Sequence, residues 1–466
     1  MNSGRFPVLA MRPGAPFILF AMFFAALWLA GGASRGDVGG QMVVRLAACV
    51  VLGVAALLFR GAALRDVRPV LLLILGAILI PVVQLVPLPP TWSQSLPGRD
   101  LVSEVARLAS QTDAWRPISI SPGTTLNALF SLTVPVATFV LVANLKPDQR
   151  VWIPALMVVL VLASMLVGLL QFSGSGFRNP LINHVAGYVS GNFANRNHFA
   201  LWLAIGCLFL PVWAFVRRDK IGWRGPVAIG AVLLLALTIL ASGSRAGIVV
   251  GALALLLAPI IVREQLEKVF RGSPRWALPV AITSVVAAAV LLIVISFAAG
   301  RATSIDRFAL ADVGGDMRTT GLPTVLGIAE RYFPVGAGMG SFDPAFRIAE
   351  PDSMLQLLYF NHAHNDLLEL VLESGAMGIA LMIAAAIWWV VASARVWRRA
   401  KSNTSNQALG RLGSAIILLT AIASAVDYPA RTPLMMAVLV VAGCLTAWGS
   451  RYVRDAASLP KDSPSL

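Results

Sequence analysis

Apolar runs of roughly 17 to 25 residues recur from one end of this 466-residue chain to the other, each long enough to cross a hydrocarbon core about 30 Å thick as a helix. Twelve are counted, at 14–31, 42–59, 69–87, 125–143, 152–172, 198–216, 225–241, 246–262, 276–298, 365–393, 412–428 and 432–450. Composition agrees: 58% of residues are hydrophobic and 13% charged, with mean hydropathy +0.78, outside the range of soluble domains. The expected fold is a single all-α integral membrane domain over 1–466, with about twelve transmembrane helices. The first run follows Arg5 and Arg12 and ends in LAGGAS, which imitates a signal peptide; with eleven runs behind it, it reads as an uncleaved span.

Orientation follows from the connections, because Lys and Arg concentrate on the cytoplasmic side. Taken alternately, one set of connections and both termini hold 23 of the 37 basic residues, including all five Lys. That set is expected to be cytoplasmic. The other fourteen basic residues, near the outward segments, are all Arg, the side chain whose planar fork suits phosphate and carboxylate. The net charge of +15 thus describes topology and affinity for anionic lipid rather than nucleic acid. Cys49, Cys207 and Cys444 fall inside spans and indicate neither a disulfide nor a metal site.

Three outward connections are long enough to hold structure: 88–124, with an amphipathic piece near 100–110; 173–197; and 299–364, lying between spans nine and ten. The last contains PVGAGMGSF, whose alternating Gly336, Gly338 and Gly340 predict a tight turn.

Charge is concentrated in NHAHNDLLELVLESGAMG at 361–378. Continued as a helix, residues 364, 368, 371, 375 and 378 share one face, running from His364 to Gly375 and Gly378, where the glycines admit a neighbouring helix or a lipid chain; Asn361 is a candidate cap. Asn365, Glu369 and Glu373 form an adjacent polar stripe. Carboxylates this deep in a span cost several kcal/mol unless paired or wetted, so they read as functional or as helix-orienting ion pairs. His362 and His364 would point to different helix faces, and no metal site is expected.

Three further groups lie on the same side. Arg245, in ASGSRAGIVVG, sits at a tight hairpin where Ser244 can cap the following helix, an arrangement that suits an anion. In GNFANRNHFA, the residues Asn192, Asn195, Arg196, Asn197 and His198 open span six; amides bind sugars and cap helices equally well. DYPARTP places Asp427, Tyr428 and Arg431 in the last outward turn, read mainly as turn-forming, with Arg431 retained as a candidate substrate contact. An outward cavity lined by Arg, His, Asn and Glu suits transfer from a lipid-borne phosphate or diphosphate, held by arginines, to a hydroxyl activated by a base.

His364, Asn365, nine residues, Gly375, two residues and Gly378 resemble the signature of the O-antigen ligase and polymerase superfamily of bacterial membrane glycosyltransferases. SGSRAG at 242–247, GNFANRNHFA and the stretch from Arg318 to PVGAGMGSF are similar to that family's other marks, in the same order. The resemblance is strongest over 185–395, the expected catalytic region. It implies a fold like that of the C-type glycosyltransferases, in the inner membrane, with the site facing the periplasm. It further implies a glycan carried on undecaprenyl pyrophosphate, an acceptor on the lipid A core or a growing polysaccharide, and inverting transfer without a metal or other cofactor. Arg245 and Arg318 would hold the pyrophosphate and His364 would act as base, with Asn195, Arg196, Asn197, His198, Asn365, Glu369, Glu373 and Arg431 as substrate contacts. An Arg followed after ten residues by Gly, a polymerase mark, is missing from Arg178, Arg196, Arg301, Arg307, Arg318 and Arg331, which favours a ligase over an O-antigen or exopolysaccharide polymerase. A secondary transporter shares the twelve-span layout, but places its polar residues at the midplane.

Overall fold

A computed structural model describes residues 14–458 except 60, 62–63, 186, 217–221, 273, 277–278, 281, 285, 288–289, 292–311, 356–359 and 399–403; of 312–319, 404 and 455–458 it describes the backbone alone. The apolar runs become helices, in the order α1 (Ala15–Ala30), α2 (Gly39–Leu58), α3 (Leu64–Leu85), the short α4 (Pro90–Gln94) and α5 (Asp100–Leu108), α6 (Pro122–Ser131), α7 (Thr133–Ala143), α8 (Pro147–Arg150), α9 (Ile153–Phe172), α10 (Arg196–Phe215), α11 (Arg224–Ala241), α12 (Arg245–Ile261) and α13 (Arg263–Val269). After the connection come α14 (Asp312–Tyr332), α15 (Phe342–Ala349), α16 (Asp366–Val396), α17 (Thr404–Ser424) and α18 (Pro433–Ser458). Among the described residues nine helical spans are long and apolar enough to cross a membrane, ten if the bent pair α12 and α13 is one span, and α1 is a shorter apolar helix. Eleven of the twelve expected runs therefore coincide with a helix or helix pair; the ninth, 276–298, falls largely outside the described residues.

Burial sorts the spans into centre and rim. α10 is 89% buried within the chain, whereas the apolar window of α16 is 17% buried and turns Ile383, Ile387, Val390 and Val391 outward. At the centre, buried Trp202 of α10 donates its indole N–H to Ser164 Oγ of α9 at 3.0 Å, and Trp28 of α1 donates to the same hydroxyl at 2.8 Å, so two large aromatics enter the core with their donors satisfied. α17 and α18 cross where Gly410 meets Gly449: a Cβ added at Gly410 would stand 2.9 Å from the Gly449 Cα, the close backbone approach that small residues permit between membrane helices.

The connections 88–124, 173–197 and 312–364 gather at one end of the bundle, here termed the loop face. Two of them are stitched together. Ile120 N donates to Ala337 O at 2.8 Å, Thr125 Oγ1 to Met339 O at 2.8 Å, and buried Gln84 bridges Met339 N and Glu373 O, each at 2.9 Å. The amphipathic piece expected near 100–110 is α5, and the expected glycine turn is present, with φ of +86° at Gly336, +113° at Gly338 and +74° at Gly340. At the opposite end, Arg411 of α17 is buried against Glu264 of α13 at 2.8 Å and Arg451 of α18 pairs with Asp66 of α3.

The stretch 361–378 departs from the continuous helix expected of it. His364 has φ +50° and lies outside the helix, which starts at Asp366; the cap is Asn365, not Asn361, and its Oδ1 accepts from Leu368 N at 3.0 Å. The face shared by His364, Gly375 and Gly378 therefore does not form. Gly375 (φ +55°, ψ −137°) breaks α16, and what packs there is the 334–338 turn rather than a helix or lipid: a Cβ would lie 2.1 Å from Pro334 O. Ala376 N bonds Pro334 O at 2.8 Å and Gly338 N bonds Glu373 O at 2.8 Å, so the turn satisfies the groups that the break releases.

Candidate active site

The turn between α17 and α18, residues 425–432, organises two clusters of charge at the loop face. The first centres on Asp427, which is 1% exposed. Its Oδ1 lies 3.3 Å from His364 Nδ1, 3.8 Å from His198 Nε2 and accepts from Tyr428 N at 3.0 Å; its Oδ2 accepts from Asn195 Nδ2 at 3.0 Å and Asn197 Nδ2 at 2.5 Å. Burial alone would raise this carboxyl, but the hydrogen bonds and charges of His198 and His364 hold it well below the usual range. It is a carboxylate, and a carboxylate on Nδ1 orients an imidazole and stabilises its protonated form.

Local structure explains each partner. Asn195 caps α10, its Oδ1 accepting from Asn197 N at 2.8 Å, which leaves its amide N–H for Asp427. Asn197 Oδ1 accepts from Ser244 Oγ at 2.7 Å, and Ser244 caps α12 through Gly247 N at 2.8 Å, as expected. Arg245, exposed at the first position of α12, is thereby tied to the Asp427 cluster through its neighbour.

The second cluster centres on Arg431. Its Nη1 lies 3.1 Å from Glu369 Oε1, its Nη2 3.0 Å from Glu373 Oε2 and its Nε 3.5 Å from Asp366 Oδ1. Glu369 Oε1 also meets His362 Nδ1 at 2.8 Å and Oε2 accepts from Ala363 N at 2.8 Å; Asp366 Oδ2 accepts from Ser424 Oγ at 2.8 Å and Ala430 N at 3.1 Å. Burial would lower the Arg431 guanidinium, yet the three carboxylates raise it, so it stays charged. Tyr428 separates the clusters, its ring centroid 4.2 Å from that of His362 and 5.0 Å from those of His364 and His198. Burial, then the charges of Asp427 and Glu369, push its phenol up and keep it protonated.

A cavity of about 870 Å³ opens beside these clusters. Ser34, Arg35, Asp37, Asn127, Asn361 and His362 line it where α1 ends and α16 begins, together with Arg431, Glu369 and Glu373; farther along α3, α16 and α18 its walls are Val70, Ile74, Leu381, Trp388, Met436 and Val440. The arrangement suits an amphiphile with a polar head and an apolar tail. His364 is outside this lining, 20% exposed and packed against Tyr428.

The sequence candidates therefore separate. Asn195, Asn197, His198 and His364 converge on Asp427, while Glu369, Glu373 and Arg431 converge on one another. Asn365 spends both ends of its amide on backbone, capping Leu368 and donating to Ala425 O at 3.0 Å. Arg196 places its guanidinium 4.9 Å over the Tyr188 ring. Arg318 lies in α14, its side chain outside the described residues. Sequence reasoning missed Asp427, Asp366, Tyr428 and His362 as members. The helix faces expected for His362 and His364 do not exist, since neither is on a helix, yet the two imidazoles still diverge, His362 to Glu369 and His364 to Asp427, while both pack on Tyr428. The one available signal was that Asp427 is an acid between an apolar span and a Pro-rich turn.

A family model described as O-antigen ligase matches residues 230–383, a stretch holding Arg245, Arg318, Glu369, Glu373 and the histidine motif, whereas Asn195, Asn197, His198, Asp427 and Arg431 lie outside it. No curated protein matches the chain. The chain is thus a multi-pass membrane protein that carries, over residues 230–383, a domain of the O-antigen ligase superfamily.

Proposed function

We propose that the protein is an inverting glycosyltransferase of the bacterial inner membrane, moving a glycan from undecaprenyl pyrophosphate to an acceptor hydroxyl at a periplasmic loop face. The observation that carries this reading is the His364–Asp427 pair beside a cavity that is polar at the loop face and apolar along the spans. His364, its Nδ1 held by the carboxylate, takes the acceptor's proton through Nε2 as the oxygen attacks the anomeric carbon. The diphosphate departs with the bonding electrons, its charge met by Arg245 and Arg318, which the motif resemblance assigns to that role. Glu369, Glu373 and Arg431 shape the polar end of the cavity, and Asn195, Asn197 and His198 keep Asp427 in place. The acceptor is the lipid A core in a ligase and a growing polysaccharide in a polymerase; the missing polymerase mark favours the ligase.

The test is a deletion strain complemented with the wild-type chain or with His364→Ala, its surface polysaccharide resolved on a gel. Long chains stranded on the lipid carrier in the deletion strain identify a ligase, and single repeat units on the acceptor a polymerase. A stably inserted His364→Ala protein that restores full-length surface glycan refutes the assignment of the base.

A further inference from the structure

His362 and Glu369 form a second histidine–carboxylate pair, and this is the pair that lines the cavity. Glu369 is fully buried and accepts from Ala363 N at 2.8 Å, while Arg431 Nη1 lies 3.1 Å from its other oxygen, so it is fixed at both ends. A carboxylate accepts only, which makes His362 Nδ1 the donor across the 2.8 Å contact and leaves Nε2 to face outward from the pair. Nε2 lies 3.3 Å from Ser34 Oγ, at the polar end of the cavity. Arg35 and Arg45 line that same end, Arg45 donating to Asn127 at 2.7 Å. A diphosphate seated there meets this imidazole, Arg45 and Arg35, the last already ion-paired with Asp37, in addition to the Arg245 and Arg318 assigned to its charge above, with apolar walls continuing beneath it for a lipid tail.

We propose that His362 is a catalytic acid of the transfer, giving its Nε2 proton to the departing diphosphate. The inference rests on the reading of the chain as a transferase of a lipid-diphosphate-linked glycan. In the step, the acceptor oxygen bonds the anomeric carbon and its proton passes to His364. The bond from that carbon to the diphosphate oxygen breaks, and its electron pair stays on the oxygen. The Nε2 proton of the His362 imidazolium moves to that oxygen, leaving a neutral imidazole whose Nδ1–H remains on Glu369. Exchange with water then removes the proton from His364 and restores one to His362. Tyr428 packs against both rings, 4.2 Å from His362 and 5.0 Å from His364 between centroids.

The full chain, in lipid nanodiscs, is assayed with two polyprenyl-linked glycan donors whose diphosphate bridge is replaced by CH2 or by CF2, the latter a less basic leaving group. The expected result for His362→Gln is a loss of about 10²-fold in kcat with KM little changed, and a CF2 to CH2 rate ratio about tenfold larger than in the wild type, because a poor leaving group depends most on an acid. An unchanged ratio, or full activity in His362→Gln, overturns the inference while leaving the transferase reading intact. Failure of the wild type to transfer from either donor or from the natural diphosphate overturns both. A second measurement needs no variant: diethyl pyrocarbonate labelling of the wild-type chain, mapped by mass spectrometry with and without undecaprenyl diphosphate. With the labelling run at a pH high enough to deprotonate imidazoles, modification at His362 that the lipid suppresses is expected; a His362 modified equally with and without the lipid overturns the inference.

Discussion

The two clusters set by the last turn differ in the sign of what they lack. At Asp427 one carboxylate faces two imidazoles and two amides, so every partner is a donor or can become one. At Arg431, four residues along the chain, one guanidinium faces Asp366, Glu369 and Glu373. The first centre gains from a proton arriving on a histidine, as a base must. The second holds an excess of negative charge around its cation, and its worth lies in fixing α16 to the turn and in orienting His362. The difference teaches that one turn can serve both a carboxylate that supports a proton acceptor and a buried ion cluster that positions a proton donor.

The contrast is broken most severely by removing the one cation. Arg431→Met removes the cation shared by three carboxylates of the second cluster, and a cost of about 3–5 kcal/mol is expected, read as loss of the folded protein in thermal unfolding of the detergent-solubilised chain. A near-normal melting temperature would contradict a structural role for this cluster. Next, His364→Gln is expected to lower transfer by about 10²- to 10⁴-fold while leaving the melting temperature unchanged, because His364 is partly exposed and precedes its helix; equal damage to both would merge the two clusters into one structural unit. Gly375→Ala forces a side chain into a left-handed position against Pro334 O, at about 1–3 kcal/mol, and should lower thermal stability together with activity, since the break it occupies joins the glycine turn to Glu373. Smallest is Asn365→Ala, which removes a cap worth about 1 kcal/mol; if Asn365 instead contacts substrate, KM rises by more than the stability change explains.

Much of this was legible in advance. Apolar runs of span length announced the helices, Ser244 announced its cap, and the alternating glycines announced a turn. The motif drew attention to His364, and the depth of Glu369 and Glu373 drew attention to the pairing they needed. What misled was periodicity carried one residue too far: the spacing from His364 to Gly378 fits a helix, yet Asn365 ends the extended segment by capping and Gly375 interrupts the helix itself. Asp427 was illegible because its role needs four side-chain partners from two distant segments, 195–198 and 364.

By itself the sequence determined the membrane class and the positions of the helices, because burying a run of apolar side chains in lipid depends on composition over about twenty residues and little else. Which side chains share a charge depends on contacts between segments about 60 to 230 residues apart. Only the tertiary structure decided that Asp427 and Arg431, neighbours in one turn, serve two different centres, since each buried charge had to find its partner wherever the packed helices brought one within reach.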